Sequence, residues 1–300
     1  MKITFLGTSS VFPTKKRNHS CVALDMGPET ILFDCGEGTQ RQIRIAGLAP
    51  MKISKILITH WHGDHVLGIP GLLESFHMSN RTKALDIFGP KGTKKYIKHM
   101  LSAFEIKIKY KLNIHEIDVR KPKKIFETNK YELWAAKMQH VVTCIGWSWI
   151  QKDKIKINTS YLKKFGLKAP HPILKKLQQG KNITWKGKKI KFEKATFTKP
   201  GKKITYVVDA LATDQVAEFA KDSDIFICEA TFSQEYKEAA AERGHMTAKQ
   251  AGKLAKKAKV KQLIITHFSQ RFRNVKPLLK EAKGVFKNTK AAKDFLEIKI

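Results

Sequence analysis

The chain has 300 residues, 42% of them hydrophobic, with 58 Lys+Arg against 26 Asp+Glu and a formal net charge of +32. That apolar content rules out disorder as the default, and the length fits one large domain or two small ones. No run of 18 apolar residues is present, so no membrane-spanning helix is expected. The four cysteines lack a CxxC pair, which argues against a disulfide framework or a cysteine zinc site and fits a reducing cytoplasm.

The basic excess calls for a polyanionic partner, nucleic acid first. Only eight of the basic residues are arginine, so lysine as surface filler is the competing reading. Lys2–Leu6 reads as a strand, its apolar stretch being too short for a signal peptide. Strands at Cys21–Asp25 and Thr30–Asp34 follow, then a helix over Gly38–Ala46, with Gly27, Gly36 and Gly38 marking turns. Lys55-Ile56-Leu57-Ile58-Thr59 reads as a buried strand, and a helix follows His65. Ala84–Phe88 is a strand and Thr93–Phe104 a helix; Tyr131–Lys137 and Thr143–Ile150 are strands. Lys152–Lys189 breaks the pattern. It is lysine-rich, carries Pro170, Pro172, Gly180 and Gly187, has room for a short helix over Ser160–Phe165, and reads as a protruding insertion. Alternation resumes with Ile204–Val208, a helix from Asp214, Ile225–Cys228, helices near 234–242 and 247–258, Gln262–Thr266, and a last helix and strand. Strand-helix alternation in both halves predicts an α/β (α+β) fold with two sheets back to back and helices outside.

His60-Trp61-His62-Gly63-Asp64-His65 is the most informative segment. In an extended stretch residues two apart point the same way, so His60 and His62 share a face. Asp64 and His65 lie where the next helix starts. Imidazole suits zinc and its first-row neighbours, and carboxylate adds a harder ligand or a base. One short loop thus offers two pairs of ligands on two sides, which suits two adjacent metals. Three further residues end apolar strands in the same manner: His140 after Trp134–Gln139, Asp209 after Thr205–Val208, and His267 after Gln262–Thr266. Singly each is as readily a polar loop residue. Together with the hexapeptide they make a set of five His and two Asp.

At this point the chain resembles the metallo-β-lactamase fold superfamily, and within it the ribonuclease Z family. Phe5-Leu6-Gly7-Thr8 and Asp34-Cys35-Gly36-Glu37-Gly38-Thr39-Gln40 are similar to that family's opening segments. Pro13-Thr14-Lys15-Lys16-Arg17-Asn18 matches its PxKxRN loop. Glu229-Ala230-Thr231 and Gly244-His245-Met246-Thr247 resemble its HEAT and HST motifs, and the insertion sits where the family carries a flexible arm. The resemblance implies a four-layer αββα sandwich over residues 1–300, with 152–189 as a tRNA-binding arm. It implies a cytoplasmic zinc-dependent endoribonuclease that trims the 3′ trailer from precursor tRNA. It also implies a homodimer in which one subunit's arm holds tRNA cut by the other.

Carried over residue by residue, His60, His62 and His140 would hold one zinc, Asp64, His65 and His267 a second, and Asp209 would bridge them. Manganese, iron or cobalt would also accept such ligands. Asp64 would serve the attacking water as well, Glu229 and His245 would deliver a proton, and Lys15, Arg17, Asn18, Ser269 and Arg271 would contact the tRNA. The chain departs from the family at Cys228, where HEAT has histidine, and at Ala210, where a threonine is usual, a change expected to loosen support of the ligands. Ala169-Pro170-His171-Pro172 replaces the arm's Gly-Pro motif. Two other readings compete: a phosphodiesterase or nuclease of the same fold acting elsewhere, and a non-catalytic RNA-binding protein with a structural metal.

Overall fold

The computed structural model describes residues 1–300. The chain forms two compact units. One comprises Met1–Glu127, Leu133–Trp149 and Lys203–Ile300; the other comprises Thr128–Glu132 and Ile150–Lys202.

The larger unit is built on two seven-stranded sheets. Lys2–Gly7 pairs antiparallel with Cys21–Asp25, which pairs antiparallel with Thr30–Phe33. From there Ile53–Leu57, Leu85–Pro90 and Leu112–Ile117 add in parallel. The second sheet has the parallel series Lys203–Val207, Ile225–Glu229, Gln262–Thr266 and Thr289–Ala291. Of the antiparallel steps, Cys21–Asp25 to Thr30–Phe33 needs only a short turn and Lys2–Gly7 to Cys21–Asp25 spans the long loop over 8–20, whereas each parallel step needs a crossover, and helices supply it.

Side-chain alternation assigns the faces. Leu6, Ala23, Leu32 and Ile56 pack with Ile69, Leu72, Leu73 and Phe76 of the helix Ile69–Met78. Val207, Phe226, Leu263 and Ile265 pack with Ala217, Ala251 and Leu278 from the helices Asp214–Ala220, Ala248–Lys257 and Lys276–Val285. The alternate residues, among them Phe5, Phe33, Trp147, Tyr206 and Ile227, are also buried. Phe33 meets Tyr206 with ring centroids 5.3 Å apart, which joins the inner faces of the two sheets. This is the αββα sandwich of the metallo-β-lactamase fold.

Most expected strands lie within a residue or two of their places. The strand before His60 ends earlier, at Leu57, because the Thr59 amide leaves the ladder and donates to the Asp34 carboxylate. Leu112–Ile117 and Lys123–Glu127 fall in the strand-like middle of the chain but have no boundaries legible in the sequence. They are the last strands at one edge of their sheets and carry charged, half-exposed faces, so no clean apolar period marks them. The chain also ends in two short strands after its last helix, Thr289–Ala291 and Glu297–Lys299.

The smaller unit has its own apolar cluster, formed by Leu162, Leu167, Leu174, Leu177, Ile183, Ile190 and Ala195. It contains the expected short helix, at Thr159–Lys163, together with a second at Leu174–Gln178 and two strand pairs. Over 150–202 it carries sixteen lysines against Asp153 and Glu193.

Candidate metal centre

Seven side chains from four loops converge at the ends of the inner strands. His60, His62 and His140 form one triad of donor atoms, and Asp64, His65 and His267 another. Asp209 stands among them, its Oδ2 2.8 Å from His65 Nε2 and 3.2 Å from His267 Nε2. Asp64 Oδ2 is 3.4 Å from His65 Nε2 and 3.5 Å from His267 Nε2. The rings of His60 and His62 lie 4.6 Å apart and both meet His140.

Local backbone conformation aims these groups. His62 is extended and the single helical turn Gly63–Val66 begins just after it, which swings Asp64 and His65 to the other side of the loop. Asp34, Asp209 and His267 all take positive φ, at 58°, 52° and 58°. Left-handed backbone costs a non-glycine residue about 1–2 kcal/mol, and it turns each side chain out of the strand line. Gly36 lets the loop after Asp34 press under this site; a Cβ there would lie 2.3 Å from the Asp64 carbonyl oxygen.

Every buried imidazole in the cluster is held at Nδ1. His65 Nδ1 donates to Asp34 Oδ2 at 2.8 Å. The Thr59 hydroxyl donates to Asp34 and so accepts from His60 Nδ1 at 3.0 Å. The Thr231 hydroxyl donates to Glu229 Oε2 at 2.6 Å and accepts from His267 Nδ1 at 3.0 Å. His140 Nδ1 donates to the Gly244 carbonyl at 2.9 Å. Fixing the proton on Nδ1 leaves the Nε2 lone pair aimed inward. Nε2 of His60, His65, His140 and His267, and Asp209 Oδ2, are buried and have no hydrogen-bond partner. Lone pairs stranded together in this way are costly unless a cation takes them, so the donor set fits a divalent metal site.

Electrostatics agree. Burial, then the neighbouring imidazoles, push His60 and His62 below the usual histidine range, which frees lone pairs. Burial would raise Asp64 and Asp209, but His65 and His267 outweigh it and hold both carboxylates ionised. His65 runs the other way: Asp64, Asp34 and Asp209 overcome its burial and push the ring up, so its Nε2 becomes a metal donor only when a cation displaces the proton that Asp209 otherwise favours.

Glu229 is fully buried. It accepts from the Ala210 amide at 2.7 Å and the Met246 amide at 3.2 Å besides Thr231. Ala210 supports the site through its backbone amide, while its methyl side chain offers no hydrogen bond of its own. His245 Nδ1 lies at ion-pair distance from Glu229 Oε2 (3.2 Å) and from Asp209 Oδ1 (3.3 Å), aligned as a full hydrogen bond with neither. Burial works against its charged form, but the charges of Glu229 and Asp209 win and raise His245 to about 9.

The residues expected to contact substrate divide into two kinds. Lys15 is exposed. Arg17 is buried and donates to the Ser269 carbonyl, while Asn18 donates through its side chain to Glu37 O and through its backbone to Asp294, so these two hold the loop in place. Ser269 and Arg271 border a cleft that also takes in Arg243 and Arg273, with the Arg271 guanidinium stacked over Phe232 and Tyr236. Asp34, Thr59, Thr231 and Arg243 are site residues that side-chain pattern alone did not single out. Asp34 follows an apolar strand just as Asp209 does, and that was the available signal.

A family model described as "Anti-Pycsar protein Apyc1" matches residues 1–160, and one described as "Beta-lactamase superfamily domain" matches residues 186–268. The ribonuclease Z of Nitrosopumilus maritimus is 38% identical over 302 residues, covering 100% of both chains. That of Archaeoglobus fulgidus is 36% identical and covers 100% of this chain and 97% of its own. Among solved structures, the short form of human tRNase Z superposes with a TM-score of 0.73 at 25% identity, covering 100% of this chain and 99% of the human one.

Proposed function

The chain belongs to the ribonuclease Z family, and on that premise we propose how its site works. The protein is an endoribonuclease that hydrolyses a phosphodiester bond of precursor tRNA and removes the 3′ trailer. The products are a tRNA 3′-hydroxyl and a 5′-phosphorylated trailer. The observation that carries the reading of the site is the set of inward-facing, unpartnered Nε2 atoms around Asp209 Oδ2.

His60, His62 and His140 would hold one zinc ion, Asp64, His65 and His267 a second, with Asp209 between them; manganese, iron or cobalt would suit the same donors. When bound, such a pair supplies Lewis acidity and a water activated at neutral pH. The chain's own groups do the rest. Asp64 orients the attacking water and accepts its proton. His245, with Nδ1 turned to Glu229 and Asp209, presents its other nitrogen to the leaving 3′ oxygen and protonates it. Lys15 and Arg271 draw the phosphate backbone in, and Ser269 lines the cleft beside them. Arg17 and Asn18 shape the loop that carries Lys15.

The lysine-rich unit, over 152–189 in particular, grips the tRNA body, and a homodimer would let one subunit's arm serve its partner. About six neutralised phosphates predict a log–log salt slope of roughly −4 to −5. An arm-deleted protein with unchanged affinity and slope would remove this part of the reading.

The decisive experiment is incubation with 3′-extended precursor tRNA, with and without a strong chelator, mapping the cut. Cleavage at the trailer boundary, lost in chelator and restored by zinc or manganese, is expected, with two ions per chain by elemental analysis. Failure of the metal-loaded protein to cut any precursor tRNA would overturn the reading, and at most one ion in a fully active preparation would overturn the paired site.

A further inference from the structure

A cavity of about 1060 Å³ takes no part in the chemistry described so far. It opens beside the metal centre, with His62 and His140 in its wall. We propose that it is the cleft that holds the 3′ trailer, by stacking its first bases on Tyr96 and Trp61. This deepens the reading above and rests on it.

The leaving oxygen fixes which side each product occupies. His245 must reach the 3′ oxygen of the tRNA, and His245 lines a cleft of about 510 Å³ with Arg243 and Ser269, which meets the larger cavity at His62, Gly63 and Leu67. That cleft runs on into the opening bordered by Arg243, Arg271 and Arg273. The tRNA 3′ end therefore lies on the arginine side. The attacking water must stand opposite the leaving oxygen in an in-line displacement, so the trailer turns aside from that line. The cavity beyond His62 offers the room, and it shares no lining residue with the arginine opening.

Its chemistry suits single-stranded RNA. Tyr96 is 42% exposed, yet its ring is fixed. It packs against Trp61 with centroids 4.9 Å apart, and the Trp61 indole donates to Thr93 Oγ1 at 3.0 Å. On another side Gly92, at φ 100°, brings the backbone so close that a Cβ would lie 2.9 Å from the tyrosine ring. A rigid, half-open aromatic ring is a platform for a base of any identity. Lys91 and Lys137 also line the cavity, both exposed, and no aspartate or glutamate does. A pocket for a neutral apolar ligand has no use for two cations; a phosphate backbone carrying stacked bases does.

The test compares precursor tRNAs carrying a single-nucleotide trailer with the same tRNAs carrying several trailer nucleotides. The wild-type protein should favour the longer trailer in kcat/KM. Tyr96→Ala should cut that advantage about tenfold, chiefly through KM. Tyr96→Phe, which keeps the ring, should retain it. Abasic trailer nucleotides should remove it in the wild-type protein, an arm that needs no variant and holds if Tyr96→Ala fails to fold. An unchanged advantage in Tyr96→Ala, or equal cleavage of abasic and natural trailers, would overturn the cleft. If no precursor is cut at any trailer length, the endoribonuclease reading itself fails instead. A small cyclic or linear dinucleotide that competes with long-trailer precursor no better with wild type than with Tyr96→Ala would also count against a stacking site.

Discussion

Asp34 and Glu229 stand behind the imidazoles of the metal centre in matching ways, one in each half of the chain. Each is fully buried, and each takes a threonine hydroxyl that in turn fixes a histidine: Thr59 and His60 on one side, Thr231 and His267 on the other. Their remaining partners differ. Asp34 is closed off by the Thr59 amide, His65 Nδ1 and the Tyr206 hydroxyl, all without exposure. Glu229 has two backbone amides and then His245, whose side chain is 15% exposed and faces the cleft. A carboxylate sealed on all sides orients ligands and can do nothing else. The same device with one partner open to substrate can also pass a proton. The difference between a structural and a chemical carboxylate here is where the fourth neighbour leads.

The comparison can be broken at several points. Asp64 belongs to neither relay and sets the scale: Asp64→Ala should abolish turnover while precursor tRNA still binds, and near-wild-type activity in a cleavage assay would take it out of the mechanism. Glu229→Ala and His245→Ala should each lower kcat by roughly 10²–10⁴-fold at saturating metal. The double variant should be little worse than either, because the two act as a unit; additive losses in single-turnover kinetics would separate them. Asp34→Asn should behave otherwise, losing about 10–100-fold in metal affinity, with turnover recovering as metal is raised. If Asp34→Asn stays slow at saturating metal, the distinction between the two carboxylates collapses. The smallest effects belong to the threonines. Thr59→Val and Thr231→Val should each weaken metal binding by about tenfold, the low end of that range. Only Thr231→Val should also slow the saturated enzyme, since Thr231 alone touches the carboxylate that faces His245; metal titrations paired with kcat would show it.

Much of this was legible in the chain. His60, His62, Asp64 and His65 sit within six residues, and a strand followed by a turn dictates where each points, so spacing alone places them. His140, Asp209 and His267 were found by the rule that ligands follow strand ends. That rule could not rank Asp34, which obeys it equally but turns its carboxylate outward from the donor cluster to hold His65 and Thr59. Nor could residue identity show that Ala210 supports Glu229, because the supporting group is an amide common to nearly every residue. Arg17 and Asn18 read as substrate contacts by charge and position, and the structure adds that one side-chain donor of each is tied to the backbone, to Ser269 O and Glu37 O.

The sequence by itself determined the local order: strand and helix periods, the hexapeptide, and the lysine excess over 152–189. These depend on neighbours a few residues apart, where backbone geometry converts spacing directly into direction. Only the tertiary structure decided which partners surround each carboxylate, and that Glu229 but not Asp34 has a neighbour, His245, that reaches a cleft. Tyr206 reaches Asp34 across 172 positions of sequence, and Trp61 meets Tyr96 across the gap between a loop and a helix. Such partners are chosen by the packing of sheet on sheet and helix on sheet, which no short window of residues encodes.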